Sequence, residues 1–133
     1  MPTSLDIVFR ETHLLKPHEA VKAKKAAHFA RFAARIRKLR MKPILVDSAT
    51  NVILDGHHRW WMAKERGLQR VPCCLVDYLR DTSIQVLPRR KDIPVSKEEV
   101  IRMGLSDSTF PHKTTKHLFT IPAMEQWVTV QLE

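Results

Sequence analysis

The sequence predicts an α+β fold formed by one domain that spans residues 1–133. A chain of this length suits a single hydrophobic core. Short apolar runs typical of strands alternate along it with segments of helical periodicity. No repeat, linker or low-complexity stretch separates these segments, so we expect helices and strands to pack as one unit.

The first half of the chain predicts a strand, a long basic helix and a pair of strands. The strand is "LDIVFRET", and the helix runs from Glu19 to Arg40 before Pro43 stops it. An apolar stripe of helical spacing supports this helix. The stripe consists of Phe29, Phe32, Ile36 and Leu39. The apolar runs "PILVD" and "NVILD", separated by "SAT", predict a tight pair of strands.

The second half predicts two helices and three strands. A helix over His57–Arg66 is closed by Gly67 as a C-terminal cap. The runs "VPCCLVDY" and "SIQVLP" predict strands, and "PRRKDIP" predicts a polar connector. Ser96 and Glu99 form a capping box for a helix that we expect to end at Gly104. The stretch "LSDSTFPHKTTKH" predicts a loop, and "QWVTVQL" a last strand.

The net charge of +9 comes from one part of the chain. Residues 16–42 hold ten of the 23 Lys and Arg residues and a single acid, Glu19, so that the remaining residues balance. Such a patch attracts the phosphates of nucleic acid or of a nucleotide. A solvated helix face is the alternative, although a solvated face usually mixes the two signs of charge.

We expect a soluble, cytoplasmic protein without bound metal at its cysteines. No apolar run is long enough to span a membrane, and "MPTSLDIVFRETH" lacks the apolar stretch of a signal peptide. Cys73 and Cys74 are adjacent, and neighbouring residues of a strand point to opposite faces. A shared disulfide or metal is therefore not expected.

The segment "ILDGHHRWWMAKERG" predicts a phosphate site where a strand gives way to a helix. The first turn of a helix offers unpaired N–H groups and the positive end of the helix dipole. Gly56 lets a ligand approach the backbone, and Arg59 can donate two hydrogen bonds to phosphate oxygens. His57 and His58 add further donors, and Asp55 can hold magnesium or orient a histidine.

Each of these residues also has a structural interpretation. Asp55 is a common type of helix N-cap. His57 and His58 diverge by about 100° on a helix, so zinc is not expected there. Trp60 and Trp61 are more typical of packing than of a platform for stacking bases.

Three segments carry a resemblance to a known family. "VILDGHHRWWMAKERGLQRVPCCLVDY" resembles the phosphate-binding segment of the ParB/sulfiredoxin fold, a small mixed sheet flanked by helices. Its Asp-Gly-His-His-Arg form resembles the free serine kinases, which convert L-serine into O-phosphoserine. "LLKPHEAVK" resembles the segment that carries the family's catalytic glutamate, and "FPHKTTKHLFTIP" the segment that helps to hold the amino acid.

The resemblance implies a set of roles for residues of this chain. Glu19 and Asp55 would be catalytic, with Glu19 as general base and Asp55 holding Mg²⁺ through the phosphates. The phosphates of ATP or ADP would lie on Gly56, His57, His58, Arg59 and Trp60. Free L-serine would be held by Lys113, Thr114, Thr115 and His117. Otherwise Glu19 is a first-turn glutamate favoured by the helix dipole, and the threonines cap a turn.

Two other functions compete with a serine kinase. The first is a ParB-like module that binds a nucleotide such as CTP and associates weakly with DNA through the basic helix 22–40. The second is a catalytically inactive regulator that binds nucleotide or serine. A sulfiredoxin is not expected, because His57 stands where its reactive cysteine would be.

Overall fold

The computed structural model describes residues 6–21 and 38–131, which form eight strands and two α-helices. The strands are β1 (Val8–Glu11), β2 (Lys38–Met41), β3 (Ile44–Asp47), β4 (Ile53–Asp55), β5 (Arg70–Val76), β6 (Gln85–Pro88), β7 (Thr115–Leu118) and β8 (Val128–Gln131). The helices are α1 (His57–Glu65) and α2 (Lys97–Leu105), with 3₁₀ turns at Thr12–Leu14 and Pro122–Glu125. In these two ranges, neither helix is long and apolar enough to cross a membrane.

A mixed sheet of four strands lies at the centre, in the order β1-β5-β3-β4. Strands β3 and β5 run parallel, whereas β1 and β4 pair antiparallel with their neighbours. Two antiparallel pairs, β2 with β8 and β6 with β7, complete the strands. The predicted α+β fold with a small mixed sheet is therefore confirmed.

The two faces of the central sheet bury different sets of apolar side chains. Ile44 and Val46 lie in one cluster with Trp60 of α1, whereas Leu45 lies in a second cluster with Val100 of α2. This alternation follows from the two-residue period of a strand. Cys73 and Cys74 likewise belong to opposite clusters, as the sequence predicted, and both are buried free thiols.

The helix predicted over Glu19–Arg40 is wrong at both of its described ends. Glu19 forms a β-bridge with Phe110, and the last residues of the predicted helix lie in β2. Residues 22–37, with Phe29, Phe32 and Ile36 of the apolar stripe, lie outside the described residues. Leu39 and Met41 are both buried with one residue between them, which suits a strand paired with β8.

Two predictions in the second half are also corrected. Helix α2 continues through Gly104 to Leu105, because Gly104 is a packing position and does not end the helix. A Cβ atom at Gly104 would lie 2.6 Å from Cγ1 of Val52, so only glycine lets the helix approach the sheet so closely. The predicted loop over 105–117 contains the start of β7, which pairs with β6.

The other predicted elements are confirmed. Strands β3 and β4 pair across the "SAT" turn, and Gly67 follows α1 with a left-handed φ of 74°. Ser96 caps α2, since its hydroxyl accepts the N–H of Glu99 at 3.1 Å. The last strand, β8, lies in the segment that the sequence predicted.

Candidate active site

Three segments that are far apart in sequence meet around one open pocket. The end of β4 and the start of α1 form one wall, the segment at Glu19 another, and the stretch that leads into β7 a third. The cavity volume is about 280 Å³, near the lower end of the range for small-molecule sites. Its lining consists of Glu19, Ala20, Leu54, Asp55, Gly56, His57, His58, Arg89, His112, Lys113, Thr115, Lys116 and His117.

The carboxylate of Glu19 has a fixed orientation in this pocket. Backbone hydrogen bonds join its segment to Phe110, which donates to the carbonyl of His18 and accepts from the N–H of Ala20, both at 2.8 Å. The two carboxylate oxygens accept separate hydrogen bonds. Oε1 accepts the backbone N–H of Thr114, and Oε2 accepts the hydroxyl of Thr115, each at 2.9 Å.

His18 lies fully buried behind Glu19. Its Nδ1 is 2.6 Å from the carbonyl oxygen of Ile53, and its Nε2 is 2.9 Å from Oγ1 of Thr115. A carbonyl oxygen only accepts, so Nδ1 must carry a proton. Burial lowers the pKa of His18 below its usual value. The neutral ring then presents Nε2 to Thr115 as an acceptor.

Strand β4 leads directly into the turn at the start of α1, where the sequence predicted a phosphate site. Gly56 has a φ of 101°, in the left-handed region that glycine adopts most readily. It is the N-cap of α1, and no side chain caps the first turn there. Gly56, His57 and His58 line the pocket, so the positive end of the helix lies beside it.

The ring of His57 is neutral and acts as an acceptor. Its Nε2 accepts the backbone N–H of His18 at 3.2 Å. Burial, together with the nearby rings of His18 and His117, keeps the pKa of His57 well below its usual value. His57 therefore joins two walls of the pocket and contributes no positive charge near neutral pH.

Two of the residues predicted to bind phosphate point elsewhere. The guanidinium of Arg59 donates to the carbonyl of Pro43 at 2.8 Å and pairs with Asp55 at 3.3 Å. The indole N–H of Trp60, which is buried in the core, donates to the carbonyl of Thr12 at 3.0 Å. Neither residue lines the pocket, although Asp55 does.

The segment predicted to hold serine contributes in several ways. Lys113 has a left-handed φ of 59°, and it lines the pocket together with Thr115 and His117. The Nε2 of His117 is 2.8 Å from the hydroxyl of Tyr78, and burial lowers the pKa of His117 to about 3. Thr114 is buried, and its hydroxyl donates to the carbonyl of Pro111 at 2.5 Å.

Several pocket residues had not been assigned a role from the sequence. Arg89 and Lys116 join Lys113 in the lining, so that three cationic residues border the same pocket as the two acidic residues. Arg89 lies in the predicted polar connector, and its N–H donates to the carbonyl of Thr114 at 2.8 Å. Lys116, and His18 behind the pocket, could have been proposed from sequence because they are neighbours of residues that were assigned a role. No sequence pattern marks Arg89 as a site residue.

Asp55 is suited to a magnesium ion shared with phosphate. Within residues 6–21 and 38–131, no group of three His, Cys, Asp or Glu side chains is arranged to hold a metal. Mg²⁺ is commonly bound by one or two carboxylates together with substrate phosphates. The side chain of Asp55 is 45% exposed and lines the pocket beside Gly56, so it meets that requirement.

Comparison with known proteins finds two kinds of relative by sequence, although no family model matches. The chain is 33% identical to the ADP-dependent L-serine kinase of Thermococcus kodakarensis over 86 residues, which cover 61% of this chain and 35% of the kinase. It is 39% identical over 57 residues to an ATP-dependent L-serine kinase of Desulfurococcus mucosus, covering 41% of this chain and 22% of that one. A ParB-like protein of Sulfolobus acidocaldarius is 47% identical over 38 residues, 29% of this chain and 19% of the relative. The matches thus span about a fifth to a third of the curated relatives.

Solved structures share the fold along almost the whole chain. A free serine kinase in complex with AMP superposes with a TM-score of 0.79 at 16% identity, covering 98% of this chain and 93% of that one. A conserved hypothetical protein from Pyrococcus furiosus superposes with a TM-score of 0.75 at 16% identity, covering 97% of each chain. The predicted resemblance to the free serine kinases is therefore confirmed, and the fold of this chain is the fold of those structures.

Proposed function

We propose that the chain is a free serine kinase, which transfers a phosphoryl group from ATP or ADP to the hydroxyl of L-serine. The observation that carries the proposal is the position of the Glu19 carboxylate. It is held by two hydrogen bonds in the same pocket as the glycine-led start of α1. A base beside an anion-binding helix terminus suits the transfer of a phosphoryl group to an alcohol.

The proposed reaction uses these residues for positioning and for charge. Glu19 takes the proton of the serine hydroxyl, and the serine oxygen forms a bond with the terminal phosphorus. The bond from that phosphorus to the bridging oxygen breaks, and the nucleotide leaves one phosphate shorter. Arg89, Lys113 and Lys116 neutralise charge on the phosphates and on the serine carboxylate, which is the main contribution that a protein makes to this chemistry.

Asp55 is the residue that we propose to hold Mg²⁺, together with phosphate oxygens. The ion would supply further neutralisation of the phosphate charge. Of the other predicted residues, Gly56, His57 and His58 remain proposed phosphate contacts, and Thr115 and His117 proposed serine contacts. The single domain over 1–133 and the cytoplasmic location remain predictions.

The direct test is to incubate the protein with isotopically labelled L-serine, Mg²⁺ and either ATP or ADP, and to measure O-phosphoserine. L-alanine is the matched control, because it differs from L-serine only in lacking the hydroxyl. We expect phosphoserine with at least one of the two nucleotides and no phosphorylated product from alanine. Absence of phosphoserine with both nucleotides would contradict the proposal.

A ParB-like nucleotide-binding module is a second candidate, favoured by the 47% identity to the ParB-like protein over 38 residues. This function predicts binding of CTP and association with DNA through the basic segment 22–40, most of which lies outside the described residues. Binding of CTP and duplex DNA can be measured at increasing salt. A kinase should bind DNA weakly and lose it steeply as salt rises, whereas a complex stable at physiological salt would favour the second candidate.

A further inference from the structure

We propose that His18 is a positioning residue, which makes Glu19 a better proton acceptor by competing with it for the hydroxyl proton of Thr115. This inference rests on the proposed function, in which Glu19 is the base. The contacts that carry it form a continuous chain of hydrogen bonds. These hydrogen bonds run from the carbonyl of Ile53 through His18 and Thr115 to Glu19, with distances of 2.6, 2.9 and 2.9 Å.

A count of protons in this chain of hydrogen bonds shows the competition. The Ile53 carbonyl accepts the proton on Nδ1 of His18, so a neutral His18 has only a lone pair on Nε2. An ionised Glu19 has only lone pairs on Oε2. Both atoms are 2.9 Å from Oγ1 of Thr115, which has one proton to donate. In this state one of the two contacts lacks a proton.

When Glu19 is protonated, both contacts of the Thr115 hydroxyl can be hydrogen bonds. With Oε2 protonated, the carboxyl group donates to Oγ1 of Thr115, and the Thr115 hydroxyl donates to Nε2 of His18. Each hydrogen bond in the chain then has one proton. Because His18 and Thr115 are buried, an unmade hydrogen bond there is costly. The arrangement therefore favours the protonated form of Glu19, which is the form produced when Glu19 takes the proton from serine.

The groups around His18 keep its ring neutral. The ring of His57, from α1, lies 4.6 Å away between centroids, and the ring of His117, from β7, lies 5.8 Å away. Phe110 packs at 6.4 Å, and Glu19 is the single carboxylate among these contacts, with Oε2 3.9 Å from Nε2. Burial has the largest effect on His18 and opposes its protonation, although Glu19 acts in the other direction.

This role of His18 does not change which protons are transferred in the reaction. The proton leaves the serine oxygen as the bond from oxygen to phosphorus forms, and it goes to the carboxylate of Glu19. The electron pair of the broken bond stays on the leaving phosphate of the nucleotide. After product release Glu19 returns its proton to water, and Thr115 again has two acceptors.

The first test needs no catalysis and uses NMR of protein with ¹⁵N-labelled histidine. We expect His18 to be the neutral tautomer with the proton on Nδ1 at neutral pH. Glu19→Gln mimics the protonated acid, because its amide can donate to Thr115, so Nε2 of His18 should gain a hydrogen bond and its ¹⁵N resonance should move to lower frequency. A doubly protonated His18, or an Nε2 resonance that does not move in Glu19→Gln, would overturn the proposal.

The second test uses kinetics of His18→Asn, whose amide can still donate to Ile53 but is too short to reach Thr115. We expect kcat to fall by up to about tenfold, the scale of one lost hydrogen bond, with little change in KM. The acid limb of the pH–rate profile should move to lower pH, because Thr115 now donates to Glu19 alone. His13→Asn, the same change at a histidine that is 75% exposed, is the matched control and should alter neither quantity.

A double-variant comparison separates positioning from general structural damage. Adding His18→Asn to Thr115→Val should leave the acid limb where Thr115→Val alone puts it, because the path through the hydroxyl is already broken. Adding His18→Asn to Thr115→Ser, which keeps the hydroxyl, should still move the acid limb of the pH–rate profile to lower pH. An equal movement in both backgrounds would overturn the proposal. If wild-type protein makes no phosphoserine, the proposed function fails, whereas the NMR test still decides the role of His18.

Discussion

Glu19 illustrates how the role of a single residue can be predicted from sequence while its surroundings cannot. The resemblance to the free serine kinases implied a catalytic glutamate, and the helix-dipole alternative placed it in the first turn of a helix. It lies instead in a β-bridge with Phe110 and is not a residue of a helical first turn. Its orientation comes from Thr114 and Thr115, about 95 residues further along the chain. No local pattern reveals such a partner.

The variant Glu19→Gln tests the role of this residue as a base. Glutamine keeps the shape of the side chain and still has an oxygen to accept the N–H of Thr114, but it cannot take a proton. We expect the rate of phosphoserine formation to fall about a hundredfold or more, the usual effect of removing a positioned base. Nucleotide affinity, measured by calorimetry, should stay within about tenfold, or roughly 1.4 kcal/mol.

The matched control for this prediction is Glu11→Gln. Glu11 is a half-exposed residue of β1 and does not line the pocket, so turnover should be unchanged in that variant. A Glu19→Gln protein that phosphorylates serine at the wild-type rate would remove Glu19 as the base. It would leave the kinase function itself standing.

Arg59 and Trp60 show that a sequence motif does not predict which way each of its side chains points. The motif gives the type of residue and its spacing, but each side chain turns toward whichever buried acceptor it can reach. Arg59 satisfies the carbonyl of Pro43, and Trp60 satisfies the carbonyl of Thr12. Both acceptors belong to other elements, so this choice could not be predicted from the helix alone.

At the scale of elements, the start of α1 depends on the left-handed conformation of Gly56. Gly56→Ala and Gly67→Ala form a matched pair, since both replace a glycine of positive φ at an end of α1. Each should lower the free energy of unfolding by about 1–2 kcal/mol, the cost of a left-handed non-glycine residue. Only Gly56→Ala should also weaken nucleotide binding, because Gly56 lines the pocket and a Cβ there would displace the turn by lying 2.9 Å from the guanidinium of Arg59.

Gly67 is the control because a Cβ there would meet open space. Its replacement therefore tests backbone strain without a collision. Chemical denaturation measures the stability of both variants, and calorimetry measures their affinity for ADP. Equal nucleotide affinity in the two alanine variants would show that the turn at Gly56 does not contact phosphate.

The close packing of α2 against Val52, the residue before β4, gives a second prediction at this scale. Gly104→Ala should destabilise the protein, although alanine is the better helix former by about 1 kcal/mol. The new methyl group would collide with both Cγ atoms of Val52, at 2.6 and 2.7 Å, and overpacking of this kind costs about 1–3 kcal/mol. In a Val52→Ala background the same change should be neutral or stabilising. A loss of equal size in both backgrounds would contradict the packing explanation.

The elements that were mispredicted share a physical reason. Strand β2 is stabilised by pairing with β8, about 90 residues away, and β7 by pairing with β6, about 30 residues away. Both are four-residue strands, too short for an alternating pattern to stand out, and "TKHL" is largely polar. Strands β3 and β5 were predictable, although β3 is also only four residues long, because their burial requires apolar residues on both faces.

On the scale of the whole molecule, the pocket exists because the sheet brings distant segments together. The bridge from Lys16 to Val52 attaches the segment of Glu19 to the residue before β4, and the bridge from Glu19 to Phe110 attaches it to the stretch that leads into β7. Three polar motifs that are separate in sequence thus share one cavity. The resemblance implied a common site for the three motifs, but the distances between them depend on these two bridges.

The buried His18 and the partly buried His57 and His117 at this junction predict a decrease in stability on acidification. Burial lowers the pKa values of His18, His57 and His117, in the case of His117 to about 3, from the usual value of 6.5. Below about pH 6.5 the unfolded chain therefore binds protons that the folded chain excludes. The free energy of unfolding should be highest above that pH. It should fall as the pH drops below that value, and His117 alone contributes about 1.4 kcal/mol per pH unit as the pH approaches its lowered pKa of about 3.

The variant His117→Gln isolates one of these contributions, because glutamine can still hydrogen-bond to the hydroxyl of Tyr78 but has no proton to gain. Between about pH 6 and pH 4, the dependence of its unfolding free energy on pH should be shallower than that of the wild type by about one histidine, or roughly 1.4 kcal/mol per unit. His13→Gln makes the same change at a side chain that is 75% exposed, and its slope should match the wild type. Urea denaturation at pH 7, 6, 5 and 4 measures all three proteins. If His117→Gln keeps the wild-type slope, His117 gains its proton in the folded state as readily as in the unfolded one, and burial does not lower its pKa.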